Sequence, residues 1–371
     1  MPQLREREFK MSMNLFSANK QWSTRPNDER FNSLAELRNV CLSYAESARE
    51  KDVPVSLLRT EANNGEVTLV GKAGVPALLT HWAFGQLSVK VGAPANYLRS
   101  LPATLACQLL NHGLADMTHA NDAAMASLLF HSNGSLLLRA ITSDQYARIW
   151  NWEVAERLMG LEEKGWEPAR PDSHSLAQDK QVALYASDHD MYAMLRQSNA
   201  ALVEAGKDAP LWRGIIVENS EVGASALKVT RFLYRYMCGN HIIWGASEVM
   251  DLSLRHRGDI AGKWMSFAAT LRKWADESSS DEQAKIKAAQ TRIIAGTKEQ
   301  VLDAVFGKRS IGLSRKVIAA GYDAVVPHQD GAPNSVWGLL QGITRHSQTI
   351  PYADERLRVD KAAGKLLEAT F

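Results

Sequence analysis

Cysteine is scarce in this sequence, with three among 371 residues. Cys41, Cys107 and Cys238 are far apart along the chain and odd in number, which does not suit the disulfide framework of a small secreted domain. We expect reduced thiols that act as small buried hydrophobic side chains, as in a protein of a reducing compartment.

Long hydrophobic runs are also absent. No segment reaches the ~18 consecutive apolar residues that a membrane-spanning helix needs. The charged residues 1–10 are not followed by the apolar stretch of a signal peptide. The sequence therefore predicts a cytoplasmic protein with no membrane partner.

The familiar catalytic motifs are missing as well. The sequence has no phosphate-binding Gly-Lys-Ser/Thr loop, no Gly-x-Gly-x-x-Gly after a strand, no His-Glu-x-x-His and no Gly-x-Ser-x-Gly. No cofactor is predicted. These absences favour a binding protein over an enzyme, but they do not exclude an enzyme.

Charge of one sign is not in excess, because 43 Lys and Arg residues are balanced by 41 Asp and Glu residues. A net charge of +2 does not identify a protein that binds polyanions, since phosphate contacts depend on local clusters of cations. Ten tryptophans are present, and they suit either core packing or stacking on nucleic-acid bases. Any nucleic-acid site must therefore be sought in a local cluster.

Hairpins and helices can be predicted from local patterns. One hairpin is expected where strands over 53–59 and 66–70 flank Asn63-Asn64-Gly65, and another around Ser132-Asn133-Gly134, because Asn and Gly tolerate the positive φ of a type I′ turn. After residue 259 the apolar residues recur at helical spacing. The predicted fold class is α+β, with antiparallel hairpins packed against helices and followed by a helical C-terminal region.

Three regions are expected along the chain. Residues 1–32 are polar and aperiodic and suggest a mobile N-terminal arm, residues 33–257 form the mixed α+β domain, and residues 258–371 form the helical region. Within the domain, Ser143 is expected to cap the start of a helix, and residues 199–210 to form a loop or short helix.

Residues 212–223 combine an apolar strand with a polar turn that ends in glycine. Asn219, Ser220 and Glu221 would place an amide, a hydroxyl and a carboxylate together before Gly223, and such groups on loops often carry function. The same residue types favour turns, so propensity alone favours an ordinary hairpin loop. Both interpretations stay open.

A run of cations with interleaved aromatic residues follows the turn. If Thr230 caps a helix that reaches Cys238, Lys228, Arg231 and Arg235 share one face, and in a strand Arg231 and Arg235 still do. Cations for phosphates and rings for bases suit a groove that holds a nucleic-acid strand. A solvated helix face with an aromatic core face behind it is the alternative. The candidate nucleic-acid-binding residues are Lys228, Arg231, Arg235, Tyr234 and Tyr236.

Carboxylates support an enzyme as an alternative. Glu221, Asp188 and Asp190 would hold Mg²⁺ in a nuclease or nucleotide hydrolase, since neighbouring carboxylates bind hard cations, although the Asp-His-Asp run also suits a charged turn. Cys238 and His241 stand three residues apart, but a closed zinc site needs about four ligands and no second pair follows. No other metal site is predicted.

A set of short motifs runs through the middle of the chain: Ile141-Thr142-Ser143-Asp144-Gln145-Tyr146, Asn219-Ser220-Glu221-Val222-Gly223, Phe232-Leu233-Tyr234-Arg235 and Cys238-Gly239-Asn240. Together with Gln86-Leu87, Pro94, Tyr97 and Leu98, they resemble the signature of the phage and plasmid-like family called domain of unknown function 932. The likeness covers roughly residues 78–245. Where the family usually has Cys-x-Asn-Gly, this chain has His241 after Asn240.

The resemblance implies carriage on mobile elements of bacteria, in the company of DNA-handling genes, and it brings no established activity or catalytic residues. We therefore expect a protein that binds DNA, single-stranded in particular, in phage or plasmid DNA metabolism. An oligomer that anneals or protects strands would suit this role. A protein that neutralises a host factor is a third hypothesis, beside the Mg²⁺-dependent enzyme.

Overall fold

The computed structural model describes residues 30–71, 74–121, 123–132, 136–169, 183–203, 210–235, 240–243, 252–254, 256, 262, 265, 269, 280–350 and 353–371. The predicted arm over 1–32 lies outside these ranges except for its last residues, and so do Tyr236 and Cys238. Two sheets and a helical C-terminal region make up the described part, which confirms the predicted α+β class.

The first sheet, called the N-terminal sheet, has the strand order β2-β6-β7-β5-β4-β3. All neighbours are antiparallel except β5 and β7. Leu110 and Leu87, from two of its helices, bury their side chains against Leu128 and Leu138 of the sheet. Its elements are β2 (Ala48–Pro54), β3 (Arg59–Asn63), β4 (Glu66–Val70), β5 (Pro76–Leu79), α2 (His81–Lys90), α3 (Ala95–Arg99), α4 (Ala103–Ala120), β6 (Met125–Ser132) and β7 (Leu136–Thr142).

The second sheet, called the central sheet, has the order β1-β9-β10-β11-β12-β13, with β8 beside β10 and β14 beside β12. Its paired strands are antiparallel. One face packs on α1 and α5 through Leu37, Val154 and Ile215. Its elements are β1 (Arg30–Phe31), α1 (Leu34–Glu46), α5 (Asn151–Met159), β8 (Trp166–Pro168), β9 (Leu184–Ala186), β10 (Met191–Val203), β11 (Pro210–Asn219), β12 (Leu227–Arg235), β13 (Asn240–Ile243) and β14 (Leu252–Leu254).

The C-terminal helices have an apolar core of their own around Trp337 and Leu340. Gly342 and Gly321 let two of these helices cross closely, because a Cβ added to Gly342 would collide with the carbonyl oxygen of Gly321. The elements are α6 (Ser280–Thr291), α7 (Lys298–Gly307), α8 (Arg315–Asp323), α9 (Pro327–Asp330), α10 (Val336–Ser347) and α11 (Ala353–Gly364), then a 3₁₀ turn over Lys365–Leu367.

The hairpin predicted at Asn64-Gly65 is confirmed, and both residues have the positive φ expected, 51° and 84°. Its first strand is β3, because residues 53 and 54 belong instead to β2, which pairs with β6. The strands of the second hairpin, β6 and β7, are also confirmed, while the turn between them lies outside the described residues.

Two local predictions are wrong, a third segment had been left open between helix and strand, and tertiary contacts explain each. Ser143 begins a turn, and the helix starts only at Asn151, because residue 147 bonds to the backbone of His256. Residues 199–203 continue β10, which pairs with β11 across a register shift. Of the helix and the strand considered around Thr230, the structure has the strand, β12, bonded on one side to β11 and on the other to β13 and β14.

Cys41 and Cys107 are buried free thiols, as predicted. No helix among the described residues is long and apolar enough to cross a membrane.

Candidate functional site

Residues 219–223, called the buried turn, begin at the last residue of β11, and all of them except the exposed Gly223 lie in the interior of the protein. Asn219 and Ser220 have no exposed surface, and Glu221 is 2% exposed. The predicted grouping of an amide, a hydroxyl and a carboxylate is therefore present, but a ligand in solvent does not reach it. Gly223 ends the turn with a φ of 83°, which disfavours other residues.

The carboxylate of Glu221 joins the two sheets. Arg139 of β7 donates from Nη2 to Glu221 Oε2 at 3.0 Å, and the Asn151 N–H donates to Oε1 at 2.9 Å. Both side chains of the ion pair are more than nine-tenths buried. A buried pair of this kind requires both partners, since one charge left alone there is strongly unfavourable.

The other groups of the buried turn are bonded from both sheets. Ser220 Oγ donates to the His189 carbonyl at 2.6 Å, and the Tyr146 hydroxyl donates to the Ser220 carbonyl at 3.0 Å. Trp82 Nε1 and Gln86 Nε2 donate to the Val222 carbonyl at 3.0 and 2.7 Å. Through these bonds the buried turn holds the two sheets together.

Two titratable rings stack beside the turn, of which His256 is buried and Tyr146 half-buried. The rings of Tyr146 and His256 lie 4.9 Å apart and nearly parallel. Burial raises the pKa of Tyr146. Burial, and then the nearby Arg148 guanidinium, lower the pKa of His256 to about 4. Both rings are therefore neutral at pH 7, as packing in the interior demands.

A cleft of about 610 Å³ opens beside the buried turn, where the N-terminal sheet, the central sheet and the C-terminal helices meet. The turn between β9 and β10 contributes to it, together with the end of β11 and one side of α11. The lining residues are Trp82, His189, Asp190, Tyr192, Glu218, Ala224, Ser225, Ile311, Gly312, Arg358, Lys361, Ala362 and Lys365.

The cations of the cleft come from α11 and the 3₁₀ turn after it. Arg358, Lys361 and Lys365 are spaced three and four residues apart, which places them on one side of a helix. Val359 and Ala363 bury the other side in the C-terminal core. Lys361 Nζ is 3.7 Å from Glu218 Oε1, and Lys365 Nζ donates to the Ser310 carbonyl at 3.0 Å.

Aromatic rings line the cleft on the side of the two sheets. The Trp82 ring stacks on the His189 ring with centroids 6.1 Å apart, and its Nε1 bond to the Val222 carbonyl holds it in place. Tyr192 of β10 is half-buried and stands directly opposite Glu218 in the ladder. The buried turn therefore positions one ring of the cleft, and the central sheet positions another.

The cations predicted between 228 and 235 do not form a single stripe. Successive residues of a strand alternate between faces, so Lys228 is on the opposite face of β12 from positions 231 and 235. Lys228 pairs across the ladder with Glu218, next to the cleft. Positions 231 and 235 are four residues apart in this strand and therefore fall on one face of it. Tyr234 pairs with Trp212, and Tyr236 lies outside the described residues.

The carboxylates of the Mg²⁺ hypothesis are divided between two environments. Asp190 lines the cleft, Asp188 Oδ1 lies 3.2 Å from His189 Nδ1 in the same turn, and Glu221 is held in the buried turn by Arg139. Within the described residues no three His, Cys, Asp or Glu side chains are arranged to hold a metal ion. The ligand set that this hypothesis requires is therefore not assembled in that part of the chain.

Several cleft residues were missed by reasoning from the sequence. The spacing of Arg358, Lys361 and Lys365 was a usable signal, because it predicts one basic helix face. Trp82 and Tyr192 carried no local signal, since their position at the cleft depends on how distant elements pack.

The fold and site define an α+β protein with a charged, ring-lined cleft at the junction of two sheets and a helical region. A family model described as "Domain of unknown function (DUF932)" matches residues 140–354, more than half of the chain. The chain belongs to this family. The match includes the buried turn, Tyr192 and Glu218, whereas Trp82 and the three cations of the cleft lie outside it. No curated protein and no solved structure matches the chain.

Proposed function

We propose that this protein binds single-stranded nucleic acid and that the strand lies in the cleft. The observation that carries the proposal is the lining, in which three cations of one helix side meet the rings of Trp82 and Tyr192. Cations contact phosphates, and rings stack on bases without regard to sequence. The sequence suggested the same combination for β12, and the proposal assigns it instead to cations of α11 and of the turn after it.

The size of the cleft favours a single strand. Pockets of roughly 300–1,000 Å³ enclose most of a small ligand, and the volume of about 610 Å³ falls in that range. Within a duplex, neighbouring bases cover one another's faces, so only an unpaired base presents its face to Trp82 or Tyr192. One or two nucleotides of a longer strand would occupy the cleft, with their phosphates at the cations.

The biological setting belongs to the same proposal. A phage or plasmid protein of the bacterial cytoplasm would meet single-stranded DNA during replication and recombination, and an oligomer would anneal or protect it. The support for this setting is the resemblance of residues 219–240 to proteins of mobile elements.

Removal of the cleft cations tests the proposal. In Arg358→Gln/Lys361→Gln/Lys365→Gln, we expect affinity for a fluorescent single-stranded oligonucleotide to fall by about tenfold or more at low salt. The slope of log K against log salt should flatten by about 2 units, because each lost phosphate contact removes about 0.7. Fluorescence anisotropy at several salt concentrations, with and without Mg²⁺, measures both quantities.

The matched control removes three cations of the N-terminal sheet that do not line the cleft. Arg49, Lys51 and Arg59 are exposed, and their replacement by Gln should leave affinity nearly unchanged. Equal losses in the two triple variants would refute the cleft as the binding site. Absence of binding by the wild-type protein would refute the function itself. Loss of substrate in the presence of Mg²⁺ would instead support the enzyme hypothesis.

A further inference from the structure

Two carboxylates line the cleft together with the cations. The side chains of Asp190 and Glu218 are only 12% and 10% exposed. A carboxylate repels phosphate, so neither residue serves the backbone of a bound strand. Their role in a nucleic-acid site must concern another part of the nucleotide.

Both carboxylates are held in place. Ser187 Oγ donates to Asp190 Oδ1 at 2.6 Å, and His189 Nε2 is 3.3 Å from Asp190 Oδ2. The position of Glu218 is fixed by the pairing of its strand residue with Tyr192 and by the contact of its carboxylate with Lys361. The acidic groups therefore have fixed positions close to a ring of the cleft, which lowers the cost of ordering them around a ligand.

The chemistry of a carboxylate restricts the bases that suit it. An ionised carboxylate accepts hydrogen bonds and donates none. Adenine, cytosine and guanine each carry an exocyclic amino group that donates, and carboxylates accept from the cytosine N4 amino group in nucleic-acid complexes. Thymine and uracil have a carbonyl oxygen at the position of that amino group. Their one edge donor, N3–H, stands between two carbonyl oxygens, which a carboxylate repels.

We infer that the cleft selects a nucleotide whose base carries an exocyclic amino group, in preference to thymine or uracil. This inference rests on the proposed binding of single strands. Asp190 and Glu218 read the base edge, Trp82 and Tyr192 stack on its face, and the cations of α11 hold the phosphates. The protein would then cover most single strands but bind pyrimidine tracts according to their cytosine content.

Two homopolymers of equal length and charge test the inference. Oligo(dC) and oligo(dT) of twelve nucleotides differ in the base and not in the number of phosphates, so the ratio of their affinities isolates the base contribution. At pH 8, where cytosine pairs through protonation are avoided, we expect oligo(dC) to bind at least about fivefold more tightly, the equivalent of one modest base contact. Anisotropy at two salt concentrations measures the ratio, which salt should not change.

The variants Glu218→Gln and Asp190→Asn convert each carboxylate into an amide that both donates and accepts. We expect the oligo(dC)/oligo(dT) ratio to fall towards 1 in at least one of them, because an amide pairs with either base edge. Loss of the Glu218–Lys361 contact would change both affinities equally and leave the ratio intact. A wild-type ratio of 1, or a ratio unchanged in both variants and their double, would overturn the inference alone. Absence of binding to either oligonucleotide would overturn the proposed function with it.

Discussion

Glu218 and Glu221 lie three residues apart at the end of β11, yet they have different surroundings. Glu221 is enclosed by Arg139 and the backbone of Asn151, whereas Glu218 lines the cleft near Lys361. A polar residue close to the cleft can therefore serve the fold alone. The buried turn should therefore govern stability, and the cleft should govern binding.

The largest expected effect comes from the buried turn. Glu221→Gln leaves the guanidinium of Arg139 without its counter-charge in the interior, and we expect a loss of about 3–5 kcal/mol in the free energy of unfolding. Urea denaturation followed by circular dichroism measures it. Glu218→Gln should cost less than about 1 kcal/mol.

A double variant checks the cause of that loss. In Arg139→Met/Glu221→Leu both charges are removed, so much of the stability should return. If Glu221→Gln and Glu218→Gln proved equally stable, the contrast between the turn and the cleft would be wrong.

A smaller effect concerns His256, which packs beside the turn. Its folded-state pKa of about 4 is below its ordinary value of 6.5. Between these two pH values, His256 is therefore protonated in the unfolded chain and neutral in the folded protein. Its contribution is therefore complete above pH 6.5 and is lost as the pH falls to about 4, by roughly 3 kcal/mol at most. Thermal and urea unfolding between pH 4 and 7 should show a flatter dependence in His256→Leu.

The exposed His112 supplies the matched control for that experiment. It lies on the surface of α4 near Asp116, and His112→Gln should keep the pH dependence of the wild-type protein. Parallel curves for the His256→Leu variant and the wild type would show that His256 is not the group responsible.

The smallest effect is expected at Lys228. Its place beside Glu218 in the ladder puts a cation at the border of the cleft, so Lys228→Gln should weaken single-strand binding by about twofold without a change in stability. Lys51→Gln is the control. If Lys228→Gln lowered the affinity as much as the α11 triple variant, the main contact surface for the strand would be β12 and not α11.

Local turn chemistry was predictable from the sequence. Asn64-Gly65 adopts the expected turn because its conformation depends on two residues and their immediate neighbours. The polar character of residues 219–223 was also visible, but their burial depends on Arg139 and Trp82, which are 82 and 140 residues away from their bonding partners in the turn. Propensity contains no information on such contacts.

The choice between helix and strand at β12 depends on similar contacts. The spacing of Lys228, Arg231 and Arg235 fits a helix, but Val229, Thr230 and Phe232 are β-branched or aromatic and favour a strand with neighbours on both sides. Pairing with β11 and β13 makes the segment a strand and not a helix. The cations of α11 show the reverse case, since their helical spacing did correspond to one side of a helix.

The cleft is assembled from chain segments near residues 82, 190, 218, 311 and 361. Contacts so distant in sequence lose much chain entropy when they form, and chains dominated by them fold slowly. No fragment that lacks one of these segments can present the complete lining. Occupancy of the cleft should accordingly raise the melting temperature of the whole chain, in proportion to the logarithm of ligand concentration above its dissociation constant.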